Sequence, residues 1–293
     1  VSEMVLEFTD LQGIMGMYYA RFDGETEEVA TALNEQYMPR FAGDELPSTK
    51  TGCAVAIADK LDSLVGLFGI KQPPTGTKDP FALRRSSLGI LRIIVEKGLN
   101  VDLADIIEWS IEQHGELQAD NLKDTVIDYM LDRFRAWYEE EGIPAEVFLA
   151  VHARRPTRPL DFDQRIKAVN QFRQLPEAQA LAAANKRVSN ILSKVNATDL
   201  ALTLNNDLLE LDAEKALAAA ISEQAKKVNP LFSAGNYSEA LQSLASLREC
   251  IDRFFDDVMV MADDEAVKNN RLALLNQLRS LFLSAADISL LSS

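Results

Sequence analysis

Apolar residues recur three and four positions apart along nearly the whole chain, the spacing of a helix that buries one stripe, and the alternation expected of strands is almost absent. Val29, Leu33 and Tyr37 form one stripe, and Ala54, Ala58, Leu61, Val65 and Phe68 form another. Each ends at a breaker, Pro39 and Gly69. After the Pro-rich stretch 70–78, Asp79-Pro80 offers an N-cap followed by a proline in the first turn, which predicts a helix from Pro80 to Lys97 stopped by Gly98. Asp102 is placed to cap a helix carrying Leu103, Ile106, Ile107 and Ile111. A longer helix, Leu122 to Glu141, carries Val126, Met130, Phe134 and Trp137 before Gly142, and another begins at Pro144.

Arg154-Arg155-Pro156-Thr157-Arg158-Pro159 interrupts this periodicity, because two prolines so close together oppose a helix and push the residue before each toward extended backbone. The expected domains are therefore 1–150 and 160–293. Beyond the linker the pattern predicts helices over 162–174, 177–195, 213–228, 238–261 and 264–286. The expected fold is all-α. The Ala-rich run Ala216 to Ile221 suits close helix packing.

Two domains are also the natural division for 293 residues, and no apolar run approaches the roughly 20 residues that cross a bilayer. Because the chain opens at Val1 with Met4, Val5, Phe8 and Leu11 already at helical spacing, it reads as a piece of a longer protein. Two cysteines, Cys53 and Cys250, make no disulfide framework, and a reducing cytoplasm is the expected setting.

Charge alters the picture locally. The net charge of −15 argues against indiscriminate coating of nucleic acid. Between Arg154 and Lys194, however, nine basic residues face three acidic ones, a local net of +6 that leaves −21 for the remainder. Arg154, Arg155 and Arg158 lie where regular i,i+4 pairing is not available, and guanidinium forks suit phosphate. Lys186, Arg187, Asn190 and Lys194 put basic and amide groups on neighbouring turns of one helix, with Val188, Ile191, Leu192 and Val195 available to the core. Charge alone does not choose between an RNA face and a solvated surface.

Other chemistry has little material. His114 and His152 stand 38 residues apart outside any HxxxH, HExxH or His-Asp pattern, so they read as surface or helix-end residues. Cys53 reads as core, and Pro74-Thr75-Gly76-Thr77-Lys78 is a turn-rich loop without a phosphate-binding glycine motif. The acidic pairs Asp59/Asp62, Asp256/Asp257 and Asp263/Asp264 read as solvated faces or caps, and no metal residues are assigned.

Several strings carry a family resemblance: Glu7-Phe8-Thr9-Asp10-Leu11-Gln12-Gly13, Leu33-Asn34-Glu35-Gln36-Tyr37-Met38-Pro39-Arg40-Phe41, Lys78-Asp79-Pro80-Phe81-Ala82-Leu83-Arg84-Arg85 and Asn185-Lys186-Arg187-Val188-Ser189-Asn190-Ile191-Leu192. With Ala153 to Pro159 and the closing Ala286 to Leu291, they resemble the C-terminal part of the beta subunit of bacterial glycyl-tRNA synthetase over essentially the whole chain. The resemblance implies an incomplete HD-like helical domain followed by a helical-bundle anticodon-binding domain like that of arginyl-tRNA synthetase. It further implies a non-catalytic tRNA-recognition role, with glycine tRNA and the alpha subunit as partners in an alpha2beta2 assembly. ATP and magnesium would serve the alpha subunit, which carries the aminoacylation site, and this chain would hold no cofactor. The HD pattern lacks its His-Asp pair here, although Asp59 could stand where a late family aspartate falls.

In that reading Arg154, Arg155, Arg158, Lys186, Arg187 and Lys194 are the phosphate candidates and Asn190 the base-edge candidate, since sequence-specific RNA reading targets unpaired bases. Arg84 and Arg85 would meet the acceptor arm, and Arg271 and Arg279 are weaker candidates on the last helix. Two rival readings are a helical protein-interaction scaffold without direct tRNA contact and a metal-dependent phosphohydrolase, the latter poor in histidine.

Overall fold

A computed structural model describes residues 3–195 and 203–292, and among them the chain is all-α, with one isolated bridge between Thr75 and Lys78 and no strand. The helices are α1 (Glu3–Glu7), α2 (Ile14–Phe22), α3 (Glu27–Glu35), α4 (Lys50–Gly69), α5 (Leu83–Glu96), α6 (Leu103–Gln113), α7 (Leu122–Glu140), α8 (Ala145–His152), α9 (Pro159–Phe172), α10 (Ala178–Leu192), α11 (Asp212–Ser233), α12 (Tyr237–Leu244), α13 (Arg248–Asp257) and α14 (Glu265–Leu283). Internal packing divides the chain into two units. One comprises Val1–Trp137 with Thr157–Leu160, the other Tyr138–Pro156 with Asp161–Ser293. None of the described helices is long and apolar enough to cross a membrane.

In the first unit α4 packs on α3, α5 and α6. Its start is fixed twice over. Thr49 Oγ1 accepts from the Gly52 N–H at 2.9 Å, and the buried Glu35 carboxylate at the end of α3 accepts from the Ser48 N–H at 2.6 Å and the Thr49 N–H at 3.2 Å, as well as from both hydroxyls. Burial alone would raise the Glu35 pKa, but these four donors outweigh it and hold the carboxyl below its ordinary value. Gly52 is required here, because a Cβ would collide with the Glu35 side chain. The expected stripes are only partly those buried. Val29 and Leu33 are exposed while Ala30, Ala32 and Glu35 face inward, and α4 buries Cys53, Ala56 and Lys60 in place of Ala54 and Ala58 before Leu61, Val65 and Phe68 follow as expected.

Asp79 does cap the next helix, but from further away. Its carboxylate accepts from the N–H groups of Leu83 at 2.8 Å and Arg84 at 3.0 Å, so α5 begins three residues after Pro80, with Ala82 in the left-handed region at φ +56°. Gly98 ends α5 at φ +65°, and Asp102 caps α6 by accepting from the Ala104 N–H at 2.9 Å.

In the second unit α11 packs on α12, α13 and α14, and α10 packs on α13, α14 and the closing turn Ile288–Leu291. Asp287 donates its N–H to the Ala150 carbonyl at 2.8 Å, tying that turn to α8. The single helix expected over 238–261 is broken by a 3-10 turn at Ala245–Leu247 and ends at Asp257. Arg165 is an internal tie. Its guanidinium pairs with Asp161 at 2.7 Å, donates to the carbonyls of Ser284 and Ala285, and lies over the Tyr237 ring.

Candidate nucleic-acid interface

Helix α10 divides cleanly between two faces. Leu181, Ala182, Asn185, Val188 and Leu192 are buried, whereas Ala183, Lys186, Arg187 and Asn190 are exposed on the other side, with Lys194 exposed just past the helix end. That outer face lines one cavity of about 520 Å³, closed by Ile191, Met261 and Ser292. The structure thus brings together four residues singled out from the sequence, Lys186, Arg187, Asn190 and Lys194. The volume falls within the roughly 300–1,000 Å³ typical of ligand sites.

The electrostatics favour an anion. Within the basic region, Arg158 pairs with Asp102 at 3.2 Å, Arg165 with Asp161, Lys167 with Asp163 at 2.7 Å and Arg173 with Glu146 at 3.9 Å. Lys186, Arg187 and Lys194 have no carboxylate within 4 Å among the described residues. Lys186 Nζ instead donates to the Ser292 carbonyl at 3.0 Å, and the Arg187 guanidinium lies 4.2 Å from the centre of the Phe255 ring. The ring contact orients the guanidinium without neutralising it. Three uncompensated cations around one cavity make a local positive field in a chain of net charge −15.

Away from α10 the lining is Ser292 and Met261, the latter an apolar contribution from the α13–α14 connection that sequence reasoning missed. Met261 is exposed there, and Arg271 helps to hold the connection by donating from Nη1 to the Met259 carbonyl at 2.9 Å. Val258-Met259-Val260-Met261-Ala262 was the available signal: an apolar run of five between two acidic pairs. Arg271 itself is buried, with Glu214 and Glu210 as ionic partners, and Arg279 pairs with Asp287 at 2.8 Å. Both candidates on α14 are therefore engaged within the fold, Arg271 because a buried guanidinium needs its carboxylate and Arg279 through its pair with Asp287.

Arg155 departs from the extended backbone expected of the residue before a proline. Arg155 has φ +47°, since the chain leaves α8 through a left-handed residue whose N–H closes on the His152 carbonyl at 2.8 Å. Arg158 is tied to Asp102, whose pKa burial would raise, yet which bonds from Thr157, the Ala104 N–H and Arg158 hold below its ordinary value. Arg154, Arg155 and Arg158 are exposed. In the first unit Arg84 donates to the Gly76 carbonyl, while Arg85 remains exposed. His114 and His152 both stand at helix ends, and among the described residues no group of three or more His, Cys, Asp or Glu is arranged to hold a metal.

Comparison with known proteins adds to this geometry. Residues 1–153 match the family model described as glycyl-tRNA synthetase beta subunit, and residues 181–288, which include most of α10 and Met261, match the DALR anticodon binding domain. The chain is 69% identical over 291 residues to the glycine–tRNA ligase beta subunit of Marinobacter nauticus, covering 99% of the chain and 42% of that protein. It is 59% identical over 292 residues to the beta subunit of Hahella chejuensis, with 100% of the chain and 42% of the relative covered. For the Vibrio campbellii beta subunit the identity is 61% over 292 residues, again with 99% and 42% covered. The chain spans about two fifths of the length of these relatives.

Proposed function

The chain belongs to the glycyl-tRNA synthetase beta subunit family, and from that premise we propose that it is the tRNA-recognition portion of such a subunit, with the α10 cavity receiving unpaired bases and their phosphates. The observation that carries this reading is the convergence of Lys186, Arg187 and Lys194, without acidic partners among the described residues, on one cavity that Met261 and Ile191 also line. Cations would hold the backbone, Met261 and Ile191 would give bases a surface to stack on, and the Asn190 amide could read a base edge.

On the same reading, residues 1–150 form an HD-like domain and 160–293 the anticodon-binding domain. Arg154, Arg155 and Arg158 supplement phosphate contact at the linker, and Arg84 and Arg85 approach the acceptor arm. The complete enzyme would attach glycine to its tRNA at the expense of ATP, with magnesium, in an alpha subunit. An alpha2beta2 assembly in the cytoplasm is the setting proposed.

The test is binding of glycine tRNA and a control tRNA over a salt series. We expect preference for glycine tRNA. Changing Lys186, Arg187 and Lys194 together to Ala should weaken binding by at least about 100-fold and flatten the logarithmic salt dependence by about 0.7–0.9 per lost contact. A parallel Arg154, Arg155 and Arg158 triple change to Ala reports on the linker. Undiminished affinity in the α10 triple variant would sink the site assignment. The scaffold reading has one observation in its favour, the exposure of Leu6, Phe8 and Phe22 near the start of the chain. It expects tight protein association and no salt-sensitive tRNA binding.

A further inference from the structure

A second pocket, of about 220 Å³, lies wholly within the first unit, between the segment after α3, the middle of α4 and the first turn of α5. Arg40, Lys60 and Arg85 line it together with Tyr37, Ser86 and a single carboxylate, Asp59. Lys60 is the unusual member. Its side chain is buried, and Nζ donates at 3.0 Å to the Gln36 carbonyl, with no carboxylate within 4 Å among the described residues. A buried ammonium answered only by a main-chain carbonyl is costly, and such a charge normally sits opposite an anion. Burial pushes its pKa down, the neighbouring Arg40 adds to that, and Asp59 opposes it.

Room for this lysine is built into the fold. Gly89 on α5 lies against it so closely that a Cβ would stand 3.3 Å from Lys60 Cε and 3.4 Å from Cδ. Arg85 is exposed and has no acidic partner among the described residues, so its fork is available at the pocket. Arg40 is partly engaged, donating to the Asn34 side chain at 2.9 Å and standing 3.7 Å from Asp44. The α5 N-terminus is not itself the attraction, because Asp79 already accepts its first N–H groups.

We propose that this pocket holds a phosphate group, carried either on an RNA backbone or on a free phosphomonoester. Lys60 and Arg85 supply the principal charge, Arg40 adds to the field, and the Tyr37 and Ser86 hydroxyls supply neutral donors. The volume suits a phosphate better than a whole nucleotide. Asp59 opposes binding and sets its strength. The pocket is separate from the α10 cavity and its assignment can fail alone, while its RNA alternative rests on the proposed tRNA-recognition role of this chain.

The first measurement is titration of the full chain with inorganic phosphate at constant ionic strength, followed by calorimetry and by the shift in thermal midpoint. Saturable binding is expected, weakened about 10-fold or more by Arg85→Ala and lost in Lys60→Met. Asp59→Asn should tighten it, an outcome that a purely structural Lys60 would not produce. Because Asp59 and Arg85 are exposed, their variants keep the test decisive even if Lys60→Met fails to fold. Glycine tRNA affinity separates the sources: a loss in Arg85→Ala that parallels the loss of phosphate identifies an RNA phosphodiester, and unchanged tRNA affinity identifies a free phosphomonoester. Absence of phosphate binding by the folded chain, or binding indifferent to both Arg85→Ala and Asp59→Asn, would overturn the proposal.

Discussion

At the residue scale the most consequential groups are charges taken out of water with their partners supplied. Glu35 is one, held in the carboxylate form by Ser48 and Thr49. Its pKa is depressed below the ordinary 4.5, so its contribution to stability is complete above that value and is lost as pH falls through the lower folded-state value. Thermal melts from neutral pH to about pH 3 should therefore show a steeper acid decline for the native chain than for Glu35→Gln, which starts less stable. Equal slopes would mean that the Glu35 carboxylate is not the linked group. Sequence spacing could not identify this glutamate, because its donors stand 13 and 14 residues away and meet it only after α3 and α4 pack.

Between elements, one ion pair links α11 to α14. Glu214 accepts from Arg271 and also from the N–H groups of Glu210 and Leu211 at 2.8 Å each, so it both caps its own helix and neutralises the neighbouring one. Burial would raise its pKa, and the bond from Arg271 with the two backbone bonds overcomes that. Removing one partner strands the other, and Glu214→Ala should cost about 3–5 kcal/mol in denaturant unfolding. Replacing the pair together, Glu214→Gln with Arg271→Met, should cost much less. A double change as damaging as the single one would show that packing rather than charge dominates. Because Arg271 also holds the Met259 carbonyl, Glu214→Ala is expected to loosen the cavity wall as well. Helix existence along α4 to α10 was legible from period, caps and glycine stops. Exact starts were not, since Asp79 reaches over three intervening residues to cap α5.

For the whole molecule the balance of charge bounds RNA binding. Arg158, Arg165, Lys167 and Arg173 of the basic region are already paired, and the rest of the chain repels polyanions. Only a few phosphates can then be neutralised. The log Kd against log salt slope for glycine tRNA should have a magnitude of roughly 2–4, from three to four contacts at about 0.7–0.9 each. A slope near 10 would mean a much wider basic footprint than the α10 cavity and its surroundings provide. The protein's field is thus local, and affinity should fall sharply when the α10 cations are removed.

The sequence by itself determined the all-α class, most helix locations, the basic region and the face of α10 that carries Lys186, Arg187, Asn190 and Lys194, because all of these depend on periodicity and local breakers. It also carried the family strings. Tertiary structure decided which charges remain available. Arg158, Arg271 and Arg279 look like the others in one dimension but meet Asp102, Glu214 and Asp287 in three. It likewise supplied Met261 to the α10 cavity and gathered Arg40, Lys60 and Arg85 around a second one. Ion pairing and cavity formation depend on contacts between distant segments, and no local pattern encodes them.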